Sequence, residues 1–216
     1  MKISTKISAL NIFLLGLFIF WTINVAEKAG FINDFDNFFI NQIYHHNEST
    51  IRLFSNITNL GDTFPTIGVT AIIFLVLILK KYYYAGIFLV LNKVVIAGIN
   101  SLIKIIVKRP RPSHHHFVEA GGFSFPSGHS ASSFALYISL LIISLVIFKK
   151  ISAKIIISTI CLLTVILIGY SRIFLGVHYP SDVFGGYLLA ATILTFNTLL
   201  FRTKNLLILK FKGIKN

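Results

Sequence analysis

Twelve residues, Ser171 to Asp182, place Arg172, His178 and Asp182 between two long apolar runs. Ionisable groups are costly in so apolar a setting, and their concentration marks a site. Pro180 has no amide hydrogen to lose in the first turn of a helix, so the next apolar segment begins at Tyr179 or Pro180 and leaves His178 just outside it. Asp182 then falls near the third helical position, from which a carboxylate reaches back one turn. A His held by an Asp is a poised nucleophile or base, because the carboxylate fixes the ring tautomer and stabilises positive charge on it. The alternative is a capping Asp beside a surface His, which is a common arrangement.

Two other stretches bear on that choice. Pro126-Ser127-Gly128-His129 also opens an apolar run, so its amides stand at a helix N-terminus, a ready site for an anion. Lys104 closes another run, and Arg111-Pro112 follows with six residues between. Together the three stretches read Lys104…Arg111-Pro112, Pro126-Ser127-Gly128-His129 and Ser171-Arg172…His178…Asp182. This resembles the three-part signature of the type-2 phosphatidic acid phosphatase superfamily, without departure at any motif position. The motifs occupy Lys104 to Asp182, and their order and internal spacing are far more specific than any one of them alone.

Phosphoryl transfer needs charge neutralisation on the transferred oxygens, an in-line nucleophile and an acid for the leaving group. Lys104, Arg111 and Arg172 suit the first need, the arginines because a planar guanidinium matches two phosphate oxygens. The amides of Ser127 and Gly128, with the Ser127 hydroxyl, are expected to add fixed dipoles. The resemblance implies His178 as nucleophile through a phosphohistidine, Asp182 as its orienting partner, and His129 as the acid that protonates the leaving oxygen and then activates water. Lys108 and Arg109 lie off the signature spacing and read as supporting or headgroup contacts. No metal or other cofactor is expected, since two-metal phosphatases use clustered carboxylates and Asp182 is the one carboxylate within the motifs. His114-His115-His116 invites a zinc reading, but adjacent residues rarely converge on one ion, and a hydrated loop at the site mouth is the plainer reading.

These residues need elements to carry them, and the composition says which. The 216 residues are 55% hydrophobic and 12% charged, with mean hydropathy +0.81, which is a membrane composition for one domain spanning residues 1–216. The single Cys161 excludes an intramolecular disulfide. Ile7 to Val25 is long enough to cross about 30 Å of hydrocarbon, and it reads as an uncleaved first span rather than a signal peptide. Ala26 to Asp62 is polar and acidic, and Phe31, Phe35, Phe38, Phe39 and Ile43 recur there at helical spacing, as in a helix lying in the interface. Further spans read as Phe64–Leu79, Tyr83–Val107, Ser127–Phe148, Ile155–Tyr170 and Asp182–Phe201, with a loop from Lys108 to Phe125. The expected fold is therefore an all-α, integral-membrane bundle of six spans.

The net charge of +13 invites a nucleic-acid reading, but the distribution of the charges explains it without one. With both termini cytoplasmic, the inner segments hold Lys2, Lys6, Lys80, Lys81, Lys149, Lys150, Lys154 and a basic tail of Arg202, Lys204, Lys210, Lys212 and Lys215, and no acidic residue. All the motif residues then fall at the outer edge of the bilayer. The expected activity is hydrolysis of a membrane lipid phosphate or diphosphate such as undecaprenyl diphosphate, phosphatidylglycerophosphate or phosphatidic acid, all of which the resembled family hydrolyses in different members. The rivals are a phosphotransferase that passes the group to another lipid, and a transporter built around the intramembrane Lys93. Motif residues confined to one side of the membrane disfavour the transporter. Vanadium-dependent haloperoxidases share the motifs, but they are soluble.

Overall fold

A backbone crossing hydrocarbon must satisfy its own hydrogen bonds, and the apolar runs of this chain do so as helices. The computed structural model describes residues 3–44, 47–113 and 116–203, and among these no strand occurs. The helices are α1 (Ile3–Ala26), α2 (Gly30–Ile43), α3 (Glu48–Asn59), α4 (Thr63–Leu79), α5 (Tyr83–Val107), α6 (Gly128–Ile147), α7 (Ile151–Phe174) and α8 (Pro180–Thr203). Lys2, Lys204, Lys210, Lys212, Lys215 and the His114-His115 pair lie outside the described residues. Five of the helices are long and apolar enough to cross a membrane, and α3 with α4, bent by 46° at their junction, makes a sixth.

The apolar residues of α1 divide by face. Phe18, Trp21 and Val25 are buried while Ile12, Phe13, Phe20 and Ile23 are exposed, as a lipid-facing surface requires. Trp21 also donates from Nε1 to the Ser181 carbonyl at 3.0 Å, which ties α1 to the start of α8. Around this seam α8 packs on α1, α5 and α6, while α6 packs on α5 and α7 as well. Gly186 makes the α6–α8 approach possible, since a methyl group there would stand 2.7 Å from the Ser127 carbonyl oxygen.

The polar segment after α1 holds the helix expected over Phe31 to Ile43, as α2, and a second one, α3, that the sequence did not suggest. Asn47 starts the second, α3, with a reciprocal cap: its Oδ1 accepts from the Thr50 amide at 2.9 Å, and its own amide donates to the Thr50 hydroxyl at 3.1 Å. On α2 the phenylalanines Phe31, Phe38 and Phe39 stay exposed, and the face turned to the bundle is Ile32, Asp36 and Ile43.

Lys93 is half-buried on α5 and donates to the hydroxyl of Ser132 on α6, a partner the sequence does not suggest. One residue away, Asn92 and Asn197 bond at 2.8 Å, with Ser139 3.3 Å from the Asn92 amide, so α5, α6 and α8 are pinned together by a satisfied polar cluster.

Candidate active site

Four chain segments bring the site together at one end of the bundle. Lys108, in a left-handed conformation (φ 50°), ends α5 and sends the chain into the Arg109–Pro126 loop. The Ser124 amide donates to the Arg109 carbonyl at 2.8 Å, closing that loop on itself. Ser127 caps α6, and its amide donates to the Asp182 carbonyl at 3.0 Å, which joins the start of α6 to the start of α8. Between α7 and α8 the amides of Val177 and His178 both turn back to the Arg172 carbonyl.

His178 is buried, and each of its ring nitrogens has a different neighbour. Nδ1 lies 3.5 Å from Asp182 Oδ2 and 3.3 Å from the Ser124 hydroxyl, which itself donates to Asp182 Oδ2 at 2.5 Å. Nε2 lies 3.2 Å from the Arg111 guanidinium. A ring whose Nδ1–H points to the carboxylate and serine presents the Nε2 lone pair beside Arg111. Burial pushes the ring down to about 3, against the pull of Asp182, so it is neutral near pH 7 and its Nε2 lone pair accepts from the Arg111 guanidinium.

Asp182 is held from every side. Its Oδ2 also accepts the Tyr179 amide at 2.8 Å, the reach-back expected of the third helical position. Its Oδ1 accepts from Arg109 at 2.7 Å. The same guanidinium reaches Asp36 Oδ2 on α2 at 2.8 Å and lies 4.1 Å from the centre of the Tyr179 ring. Burial works against the Arg109 charge, but the two carboxylates outweigh it and hold the group above its ordinary range. Asp36 is buried as well, accepting from both the amide and the hydroxyl of Ser181 at 2.7 Å.

Of the cationic residues named from the sequence, Arg111 and Arg172 act on His178 directly, and Lys104 shares their surroundings. Arg111 donates to the Val177 carbonyl at 2.7 Å and the Gly121 carbonyl at 2.7 Å. Lys104 reaches the Phe123 carbonyl at 2.5 Å and the Ser124 carbonyl at 3.2 Å. Arg172 is 4% exposed, donates to the Thr58 hydroxyl at 2.8 Å, and has no hydrogen-bond partner at Nε. A buried guanidinium N–H without a partner is costly, and an anion is the kind of group that would satisfy it. His129, in the first turn of α6, sets Nε2 2.5 Å from Asp62 Oδ1.

Of the two groups Ser127 was expected to offer an anion, the amide is already engaged. Its amide goes to the Asp182 carbonyl, which leaves the Gly128 amide at the first helical position, while its hydroxyl accepts from the Ser130 hydroxyl at 2.9 Å and keeps its own hydrogen to donate. Sequence reasoning gave no site role to Ser124, Thr58, Asp36 or Asp62, and it left the partners of Arg109 open. Asp36 did carry a signal, since it lies four residues from Ile32 and seven from Ile43 on the stripe that proves buried. Among the described residues no three His, Cys, Asp or Glu side chains form a metal-ligating group, and His116, the described member of the His triplet, has its Nε2 2.8 Å from the Pro112 carbonyl oxygen.

Residues 83–206 match the PAP2 superfamily, a stretch that holds all three motifs. The chain belongs to that superfamily. Phosphatidylglycerophosphatase B of Bacillus subtilis (strain 168) is 34% identical to this PAP2 chain over 91 residues, 41% of this chain and 44% of that protein. Undecaprenyl-diphosphatase BcrC of the same strain is 36% identical over 133 residues, 59% and 60% of the two chains. The PAP2 chain thus spans 44% and 60% of these curated relatives' own length. A crystal structure of a transmembrane PAP2 type phosphatidylglycerolphosphate phosphatase from Bacillus subtilis shares the fold, with a TM-score of 0.77 over 90% of this chain and 96% of that one at 24% identity.

Proposed function

We propose that the chain hydrolyses a membrane lipid phosphate or diphosphate through a phosphohistidine on His178, without a metal. The observation that carries this reading is the His178 environment: a buried neutral ring, with Ser124 and Asp182 on Nδ1 and Arg111 beside Nε2. In this reading Nε2 attacks phosphorus while Arg111, Arg172, Lys104 and the Gly128 amide hold the equatorial oxygens. His129 gives a proton to the departing lipid oxygen, and Asp182 offsets the charge that develops on His178. Water then attacks the phosphohistidine with His129 as base. Undecaprenyl diphosphate and phosphatidylglycerophosphate are the favoured substrates, because the relatives named above carry those activities, and phosphatidic acid offers the same phosphate at the same depth.

In detergent, inorganic phosphate should be released from at least one of these three lipids, unaffected by excess chelator and blocked by vanadate, whose trigonal-bipyramidal adduct on His178 mimics the transition state. Rescue by divalent ions after chelation would sink the metal-free mechanism. Transfer to a second lipid with no phosphate released would make the protein a phosphotransferase, and inertness on all three would overturn the assignment.

The site belongs on the outer face with both termini inside, by the one-sided charge pattern. In a Cys161→Ser background, cysteines introduced at Gly122 or Ser49 should label with an impermeant reagent from outside, and one at Lys150 should not. The opposite pattern would move the site to the cytoplasm.

A further inference from the structure

His129 is held by a carboxylate that no motif contains. Asp62 stands at the N-cap of α4, where an aspartate ordinarily spends its side chain on the first free amides of the helix. Here the side chain makes no capping hydrogen bond, and Oδ1 lies instead 2.5 Å from His129 Nε2. The corner that carries Asp62 is pressed onto the same ring. A methyl group on Gly61 would stand 3.3 Å from His129 Cδ2 and 2.6 Å from Ile168 Cγ2, so only glycine fits between α7 and His129. Four residues before Asp62, Thr58 accepts from Arg172. The α3–α4 corner is therefore a wall of the site, fastened at once to a phosphate-binding arginine and to the leaving-group acid.

We propose that Asp62 is the positioning residue of His129, fixing its ring and stabilising the protonated form that the leaving group requires. The proposal rests on the phosphohistidine reading above. A general acid must carry its proton before the bond breaks; burial opposes a charge on His129, as do Arg172 and Arg111, and Asp62 is the group that favours it. Without Asp62 the acid would feel both arginines with no carboxylate to offset its charge.

With Nε2 taken by Asp62, Nδ1 is the nitrogen left for the substrate. In the first step the His178 Nε2–P bond forms and the P–O bond to the lipid breaks. The bonding pair goes to the lipid oxygen, which takes the Nδ1 proton, and His129 is left neutral with its Nε2–H still on Asp62. In the second step Nδ1 takes a proton from water as the water oxygen attacks phosphorus, and the N–P bonding pair returns to His178. His129 ends protonated, ready for the next turnover. The two histidines thus stand in one arrangement used twice, each with one nitrogen on a carboxylate and the other towards phosphorus or its leaving oxygen.

The test compares leaving groups in Asp62→Asn, Asp62→Glu and His129→Ala, assayed on phosphatidic acid and on para-nitrophenyl phosphate, whose phenolate departs without needing a proton. Asparagine is itself a good N-cap, so Asp62→Asn keeps the start of α4. General acid catalysis contributes about 100-fold or more. Asp62→Asn should therefore lower kcat on phosphatidic acid by about 100-fold, with a loss about ten times smaller on the aryl ester. Asp62→Glu should recover part of the loss, and Asp62→Asn should add little to His129→Ala, because the carboxylate acts through that ring. Equal losses on both substrates, no loss on either, or full additivity with His129→Ala would overturn the proposal. His178→Ala is the control for the reading beneath it: if that variant keeps activity, the phosphohistidine mechanism has failed, and if it is inactive on both substrates, the Asp62 result stands on its own.

Discussion

His178→Ala should reduce lipid phosphate turnover by about ten-thousand-fold or more while the protein stays folded, the largest effect on activity expected of any single change. Removing a nucleophile deletes the covalent step, and what remains is the rate that charge neutralisation alone supports. Those charges survive the change, since Arg111 keeps its bonds to the Val177 and Gly121 carbonyls and Arg172 keeps Thr58. The variant should thus still bind phosphate, and its residual rate should no longer respond to Asp182→Asn, whose role passes through the ring. A single-turnover reaction with labelled substrate, quenched in alkali where phosphohistidine survives, should leave label on the wild-type protein and none on the variant. A variant within tenfold of wild type, or a wild type that never carries label, would remove His178 from the nucleophile's role.

The parts of this site that could be read from the sequence are those set by spacing along one segment. Pro180 starts α8, Asp182 lands at its third position, and its reach back to the Tyr179 amide follows from helix geometry alone. The end of α5 before Pro110 is local in the same way. What could not be read is what a distant element contributes. Asp36, Thr58 and Asp62 come from α2, α3 and the start of α4, and in sequence they look like the polar residues any segment between apolar runs carries. The phenylalanine pattern on α2 marks the face that stays exposed, and it says nothing of the opposite face, where Asp36 is buried. Ser124 was hidden for another reason. A loop serine has no periodicity to betray it, and it matters here because the Arg109–Ser124 backbone bond folds the loop over His178.

Arg109→Met should cost about 3–5 kcal/mol of stability, the range for removing one partner from a buried ion network. The arginine is the shared counter-charge of two buried carboxylates, contacting Asp182 Oδ1 at 2.7 Å and Asp36 Oδ2 at 2.8 Å. A methionine of similar length fills the space over the Tyr179 ring but leaves both acids without a cation, and Asp182 is 0% exposed, so water cannot replace it. Asp36→Asn should cost less, because Arg109 then keeps Asp182 and the amide oxygen still accepts from Ser181. In the double variant the Asp36 charge is gone before its partner is removed, so the combined loss should fall short of the sum by about 1 kcal/mol or more. Thermal unfolding in detergent of the four proteins measures this cycle, and additive losses, or an Arg109→Met cost below about 1 kcal/mol as for an exposed pair, would show that the network stabilises little. Activity should fall with the same substitution, since Asp182 Oδ1 is then unheld and Oδ2, shared by Ser124 and the Tyr179 amide, no longer has a fixed aim at His178. Through Arg109 the helix that follows the first span thus reaches Asp182 and, beyond it, the His178 ring, which gives the buried aspartate of α2 its task.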